Sequence, residues 1–172
     1  MFVRDMLIRF MEKRCDWQNE TIDLHPTVCN ICGGEVILIS NALIYRKPKG
    51  SGKCYVCTCC GARVGTHIKK PSEAYGILSD KEMRKARMRC HELLDIHWKH
   101  KKRRVRYRSA MYKWLAKKMQ IDVKVCHIGR FDMEKLNMAI EILEKVKYAE
   151  AKMDKRENLY FRDLPKGRRP AV

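Results

Sequence analysis

The apolar positions of this chain follow three successive rhythms. From Phe2 to Trp17, Phe2, Met6, Arg9, Phe10 and Lys13 recur at helical spacing with Leu7 and Met11 adjoining, which predicts an amphipathic helix. Between Leu24 and Lys70 the runs shorten. Val36-Ile37-Leu38-Ile39 and Ala42-Leu43-Ile44-Tyr45 predict two strands, Pro48, Gly50, Ser51 and Gly52 a loop, and Lys53–Val56 the returning strand. At Ser79 the helical period returns. Ser79 and Glu82 have capping-box spacing, and Met83, Ala86, Cys90, Leu94, His97 and Trp98 follow on one stripe. A second helix carries Tyr107, Ala110, Met111, Trp114, Leu115 and Met119. A third starts after Asp132, a predicted N-cap, and carries Leu136, Ala139, Ile140 and Leu143. These textures divide the chain into an N-terminal helix (1–22), a cysteine- and glycine-rich segment (23–72), a basic helical region (73–156) and a flexible tail (157–172).

Composition narrows the class. The chain has 172 residues, enough for one domain or a small module with a helical extension, and 45% apolar residues supply a core. No run of 18 apolar residues is present, so no membrane span is expected. The first residues, MFVRDMLIRFMEKR, carry scattered charges and no small-residue cleavage site, so a signal peptide is not expected and the expected location is cytoplasmic. Nine cysteines, an odd number without a secretion signal, point to metal and away from a disulfide framework.

The pairs Cys29-x-x-Cys32 and Cys57-x-x-Cys60 stand 24 residues apart. Zn²⁺ takes four tetrahedral ligands and favours thiolates. Two cysteines three apart reach one ion when the backbone between them folds into a tight knuckle. Gly33-Gly34 and Gly61 follow the two pairs and supply the positive φ such turns need. Cys59 can compete with Cys60 for the fourth position, but a C-x-C spacing lacks the knuckle geometry and the glycine directly after it, which favours Cys60. The expectation is one structural Zn²⁺ in a zinc ribbon. A segment this short buries too little apolar surface to fold alone, and four thiolates leave no open position for a reactive water. The predicted fold class is α+β, a small antiparallel zinc ribbon with a mostly α-helical basic region.

Three blocks then resemble a zinc-finger-containing domain family of bacteriophages and prophages. They are Cys29-Asn30-Ile31-Cys32-Gly33, then Cys57-Thr58-Cys59-Cys60-Gly61-Ala62-Arg63-Val64-Gly65-Thr66-His67, and Cys126-His127-Ile128-Gly129-Arg130-Phe131-Asp132 after Tyr112-Lys113-Trp114-Leu115-Ala116. His91, Asp95 and Trp98 match the family's H-x-x-x-D-x-x-W spacing. Asn30 and Thr58 replace the proline usual in the family's knuckles. The resemblance implies a phage origin and a ribbon fused to helices, and it implies no reaction.

Charge supplies the functional expectation. The net charge is +18, and residues 81–118 hold fifteen Lys and Arg against Glu82, Glu92 and Asp95. The densest stretch, with Lys99, Lys101, Lys102, Arg103, Arg104, Arg106 and Arg108, continues into Lys113 and Lys117. So much charge of one sign repels itself unless an anion relieves it, and phosphate suits arginine forks. The expected partner is nucleic acid, DNA or RNA, met through these nine side chains. Tyr107, Tyr112 and Trp114 can stack on unpaired bases, although Tyr107 and Trp114 share the apolar stripe. The alternative is a module that docks on a host polymerase or a nucleic-acid-guided defence complex. A metal-dependent nuclease is the third reading: His91 and Asp95 share a helix face, and His127 and Asp132 follow, but no paired carboxylates or phosphate loop appear, so an enzyme is not expected. Oligomeric state is not legible.

Overall fold

The computed structural model describes residues 21–156 and 158–163; the helix expected over Phe2–Trp17 lies outside them. The described chain forms two compact units, Thr21–Arg87 with Gly129–Met133, and Met88–Ile128 with Glu134 onward.

The first unit is built on an antiparallel sheet of β1 (Val36–Ser40), β2 (Lys53–Cys57) and β3 (Arg63–Gly65), in that order. Val36 pairs with Cys57, Ser40 with Lys53 and Cys54 with Gly65. Its core is small: Val36, Tyr55, Ala62, Val64, Ala74 and Leu78 pack with Cys29 and Cys57. The strand expected over 42–45 is instead a single helical turn, α1 (Ala42–Tyr45). The buried Asn41 decides this. Its carbonyl accepts the Ile44 and Tyr45 N–H groups, and its side chain clasps Lys49, donating to the carbonyl at 2.6 Å and accepting the N–H at 3.0 Å. These local bonds outweigh the β preference of Leu43-Ile44-Tyr45, and Arg46, at φ 63°, ends the turn.

The helix α2 (Lys81–Asp95) starts one residue later than the capping-box spacing implies. Asp80 is its cap, accepting Met83 N–H at 2.8 Å, while Ser79 bonds Arg63 of β3 through backbone and hydroxyl. The two units divide within this helix, after Arg87. The Arg87 guanidinium donates to the carbonyls of Ile77 and Phe131 at 3.2 and 3.3 Å, both in the first unit.

In the second unit α3 (Arg104–Met119) and α4 (Met133–Glu144) follow, with Asp132 directly before α4. Large aliphatic side chains fill its core. Leu93, Leu94, Met111, Leu115, Met119 and Leu143 are each at most 2% exposed. Two further strands, β4 (Ala149–Met153) and β5 (Leu159–Asp163), pair antiparallel where helix and flexible tail were expected. Asp154 closes this hairpin by accepting the N–H groups of Arg156 and Asn158, both at 2.8 Å. Phe161 anchors it, its ring 4.7 Å from Trp114 and 5.1 Å from His97. This aromatic contact is invisible to periodicity, and Ala149 and Ala151 of β4 are buried. Among the described residues, no helix is long and apolar enough to cross a membrane.

Candidate metal centre and basic face

The two CxxC segments fold into the same knuckle. In the first, Cys29 N–H donates to Gly34 carbonyl at 2.8 Å and Gly33 N–H to Cys29 carbonyl at 2.9 Å. In the second, Cys57 N–H donates to Ala62 at 2.8 Å and Gly61 N–H to Cys57 at 3.1 Å. Gly33 and Gly61 occupy the left-handed position, at φ 73° and 69°. Gly34 serves another purpose: a Cβ there would lie 2.6 Å from Cys59 Sγ.

The β1–β2 register places the knuckles face to face. The sulfurs of Cys29, Cys32, Cys57 and Cys60 all lie within 4.8 Å of one another. The separations Cys29–Cys60 and Cys32–Cys57 are 3.7 and 3.5 Å. A tetrahedron with Zn–S bonds of about 2.3 Å has edges of about 3.8 Å, so the donor set fits one structural zinc ion. Cys60 is the fourth ligand; Cys59 stands outside the cluster, exposed.

Backbone donors prepare the thiolates. Ile31 N–H approaches Cys29 Sγ at 3.4 Å and Cys60 N–H approaches Cys57 Sγ at 3.5 Å. The Cys60 and Cys59 N–H groups hold the Cys57 thiol down to about 6. At Cys60 the Ala62 N–H pulls the same way, but the crowded sulfurs and burial outweigh it and push the thiol up to about 12. A divalent cation at the centre turns that crowding into coordination and keeps all four deprotonated.

The remaining described cysteines are structural. Cys54, Cys90 and Cys126 are buried, and burial raises all three thiols, the last two to about 12.

The basic residues separate by environment. Lys101 is half-buried, bonded to Glu150 at 3.0 Å and set over the Tyr107 ring. Lys99 is exposed but holds Asp95 at 2.8 Å. Within α2, Arg87 braces two carbonyls, and Arg89 pairs with Glu144. Lys102, Arg103, Arg104, Arg106, Arg108, Lys113 and Lys117 are exposed. On α3, Arg106, Lys113 and Lys117 lie on a stripe away from the buried Met111, Leu115, Ala116 and Met119.

The aromatic and acid–base candidates also sort. Trp114 packs on Phe161. Tyr112 stacks on His127 at 6.1 Å and carries the Arg108 guanidinium at 5.1 Å from its ring centroid. Asp95 directs one oxygen at Trp98 Nε1, 2.9 Å away, and the other at Lys99. It therefore orients the Trp98 indole, which stands at D-x-x-W spacing from it. Trp98 in turn lies 5.8 Å from Arg108.

No curated protein and no solved structure matches the chain. The profile of a zinc-finger-containing domain matches residues 25–146, from just before the first knuckle to just past α4, and the chain belongs to that family.

Proposed function

We propose that this is a zinc-ribbon accessory protein, of the phage type that its sequence resembles, whose basic helical face binds the phosphates of nucleic acid. One observation carries the reading: Lys102, Arg103, Arg104, Arg106 and Arg108 stand exposed together, and no carboxylate occurs in the chain between Asp95 and Asp122. Asp95, Glu144 and Glu150 are already engaged with Lys99, Arg89 and Lys101. Charge of one sign at this density gains most from a polyanion. The zinc ribbon is structural in this reading, and the protein is a binder, not an enzyme.

The test is a salt titration of nuclease-treated protein against labelled single- and double-stranded DNA and RNA. Log K falls against log salt by about 0.9 per phosphate met on duplex DNA, or about 0.7 on single strands. With five or more contacts, affinity collapses between low and moderate salt. A flat salt response, or no binding to any of the four, overturns the reading.

A second reading, docking on a host polymerase or a nucleic-acid-guided defence complex, is favoured by a different feature. Ile37 and Leu38 on the edge strand β1 and Leu43 on α1 are 41%, 37% and 79% exposed. Apolar side chains on a sheet edge are a common protein-contact surface. Loss of a nuclease-resistant protein complex in Leu43→Asp, with nucleic-acid affinity unchanged, would support it.

A further inference from the structure

Along α3, Arg104, Val105, Arg108, Ser109 and Tyr112 fall on one face, at spacing i, i+1, i+4, i+5 and i+8. Two turns further on, that same face is buried as Leu115, Ala116 and Met119. The first half of the stripe carries arginine where its second half carries core. What it faces is an open pocket of about 380 Å³, lined also by Trp98, Val123, Cys126 and His127.

We propose that this cavity receives one unstacked nucleobase of a single-stranded nucleic acid, with the adjoining phosphate on Arg104 and Arg108. The inference rests on the reading that the basic face meets nucleic acid, and it names the part of the ligand this site takes.

Four features point to a flat, anionic ligand. The volume lies within the range of small-ligand pockets. The walls are planar. Trp98 and Tyr112 both flank Arg108, and the His127 ring stands 29° from the plane of Tyr112, so a base has aromatic and guanidinium faces to stack on. The lining contains two arginines and no carboxylate. The walls are also set in advance: Asp95 satisfies the indole N–H of Trp98, so that residue offers its ring face and no competing donor. Burial pushes the Tyr112 phenol up to about 12, so it stays neutral beside a phosphate.

The same chemistry, a base with a phosphate, comes from a strand or from a free nucleotide. The experiment separates them on the full chain. Fluorescence anisotropy at fixed salt compares a labelled 20-nucleotide strand, the same strand made abasic, and a blunt duplex, each competed with free nucleoside monophosphates. The strand binds about tenfold more tightly than its abasic counterpart, which carries the same phosphates. Trp98→Ala removes that preference, and Trp98→Phe restores most of it. Arg108→Ala instead lowers the salt slope by about 0.7. Ser109→Leu, at an exposed helix position, fills the cavity without deleting a core contact and also abolishes the preference, which guards against misfolding of the Trp98 variant. Equal affinity for the strand and its abasic form, with Trp98→Ala and Ser109→Leu unchanged, overturns the pocket while leaving phosphate binding intact. Displacement by equimolar free nucleotide overturns the strand as source. No binding of any nucleic acid by the wild type overturns both readings together.

Discussion

Around the four sulfurs the largest buried aliphatic side chains are Val36, Val64 and Leu78. In the helical unit, Leu93, Leu94, Met111, Leu115, Met119 and Leu143 are sealed from solvent almost completely. The first region is ordered by geometry imposed from a point: two knuckles in the same backbone pattern, two glycines at positive φ and one ion. The second is ordered by area removed from water. A ribbon of this kind tolerates exposed apolar residues on β1 because its stability does not come from that sheet face, whereas α3 cannot give up its buried stripe. One unit therefore depends on redox and metal supply, the other on packing.

The largest effect separates the two directly. Cys57→Ser, or chelation of the wild type, removes a contribution on the order of 10 kcal/mol from the ribbon. Metal content should fall from one zinc per chain to none, and the β2 amides of Lys53–Cys57 should exchange freely. Cys59→Ser should keep its zinc. Should the α3 amides open together with those of β2, the two regions form one cooperative unit and do not depend separately on metal and on packing.

The mirror experiment is smaller. Leu115→Ala deletes a side chain with 0% exposure, at a cost of about 2–5 kcal/mol. Urea unfolding followed through α3 should register the loss while zinc stoichiometry stays at one. A drop in metal content would tie the ion to the helical core.

Acid provides the next contrast. Burial, with smaller contributions from His100 and Lys101, lowers His97 to about 4 from an ordinary 6.5. The folded state holds this ring neutral beside Phe161. Above pH 6.5 both states are neutral there and stability is complete. As pH falls from 6.5 toward 4 the unfolded chain takes up a proton that the folded chain refuses, so stability drops by a total of about 3 kcal/mol. The difference in slope between wild type and His97→Leu, measured at the α3 amides from pH 7 to 4.5, isolates this effect from acid release of the metal. Identical slopes would mean that His97 is accessible to protons when folded.

Much of this was legible in the chain, for reasons that differ by region. The zinc site was, because ligand chemistry is local: spacing, thiolate and glycine at Cys29–Gly33 and Cys57–Gly61 leave few other outcomes. The helices α2, α3 and α4 were, because their stripes are periodic. The turn at 42–45 was not, since Asn41 overrode the propensity of its neighbours through bonds to Lys49 seven places down the loop from α1's first residue. The β4–β5 hairpin was not, because its anchor Phe161 is a single ring whose partners, Trp114 and His97, lie far away in sequence. On the basic face, sequence alone counts charges without seeing which are already answered. Glu150 holds Lys101, a pairing that 49 residues of separation hide from the sequence. Trp98 and His127 went unnamed as neighbours of Tyr112 because only the fold assembles the cavity.

The finest distinction concerns the start of α2, where two adjacent residues compete for one role. Ser79 has the capping-box spacing to Glu82, yet its hydroxyl donates to Arg63 carbonyl at 3.1 Å and its backbone forms a bridge with the same residue. Asp80 performs the capping, with Oδ1 on the Met83 N–H at 2.8 Å. A carboxylate there also meets the positive end of the helix dipole, which a hydroxyl does not. Asp80→Ala should therefore cost about 1 kcal/mol and fray the first turn of α2, while Asp80→Asn should recover most of that loss because the amide oxygen still caps. Ser79→Ala should leave the first turn of α2 intact and loosen the end of β3, visible as faster exchange at the Arg63 amide, whose own N–H donates to Ser79 carbonyl at 3.0 Å. If the two substitutions traded these effects, the helix would begin where the spacing of Ser79 and Glu82 implies, and the sheet would lose its claim on Ser79.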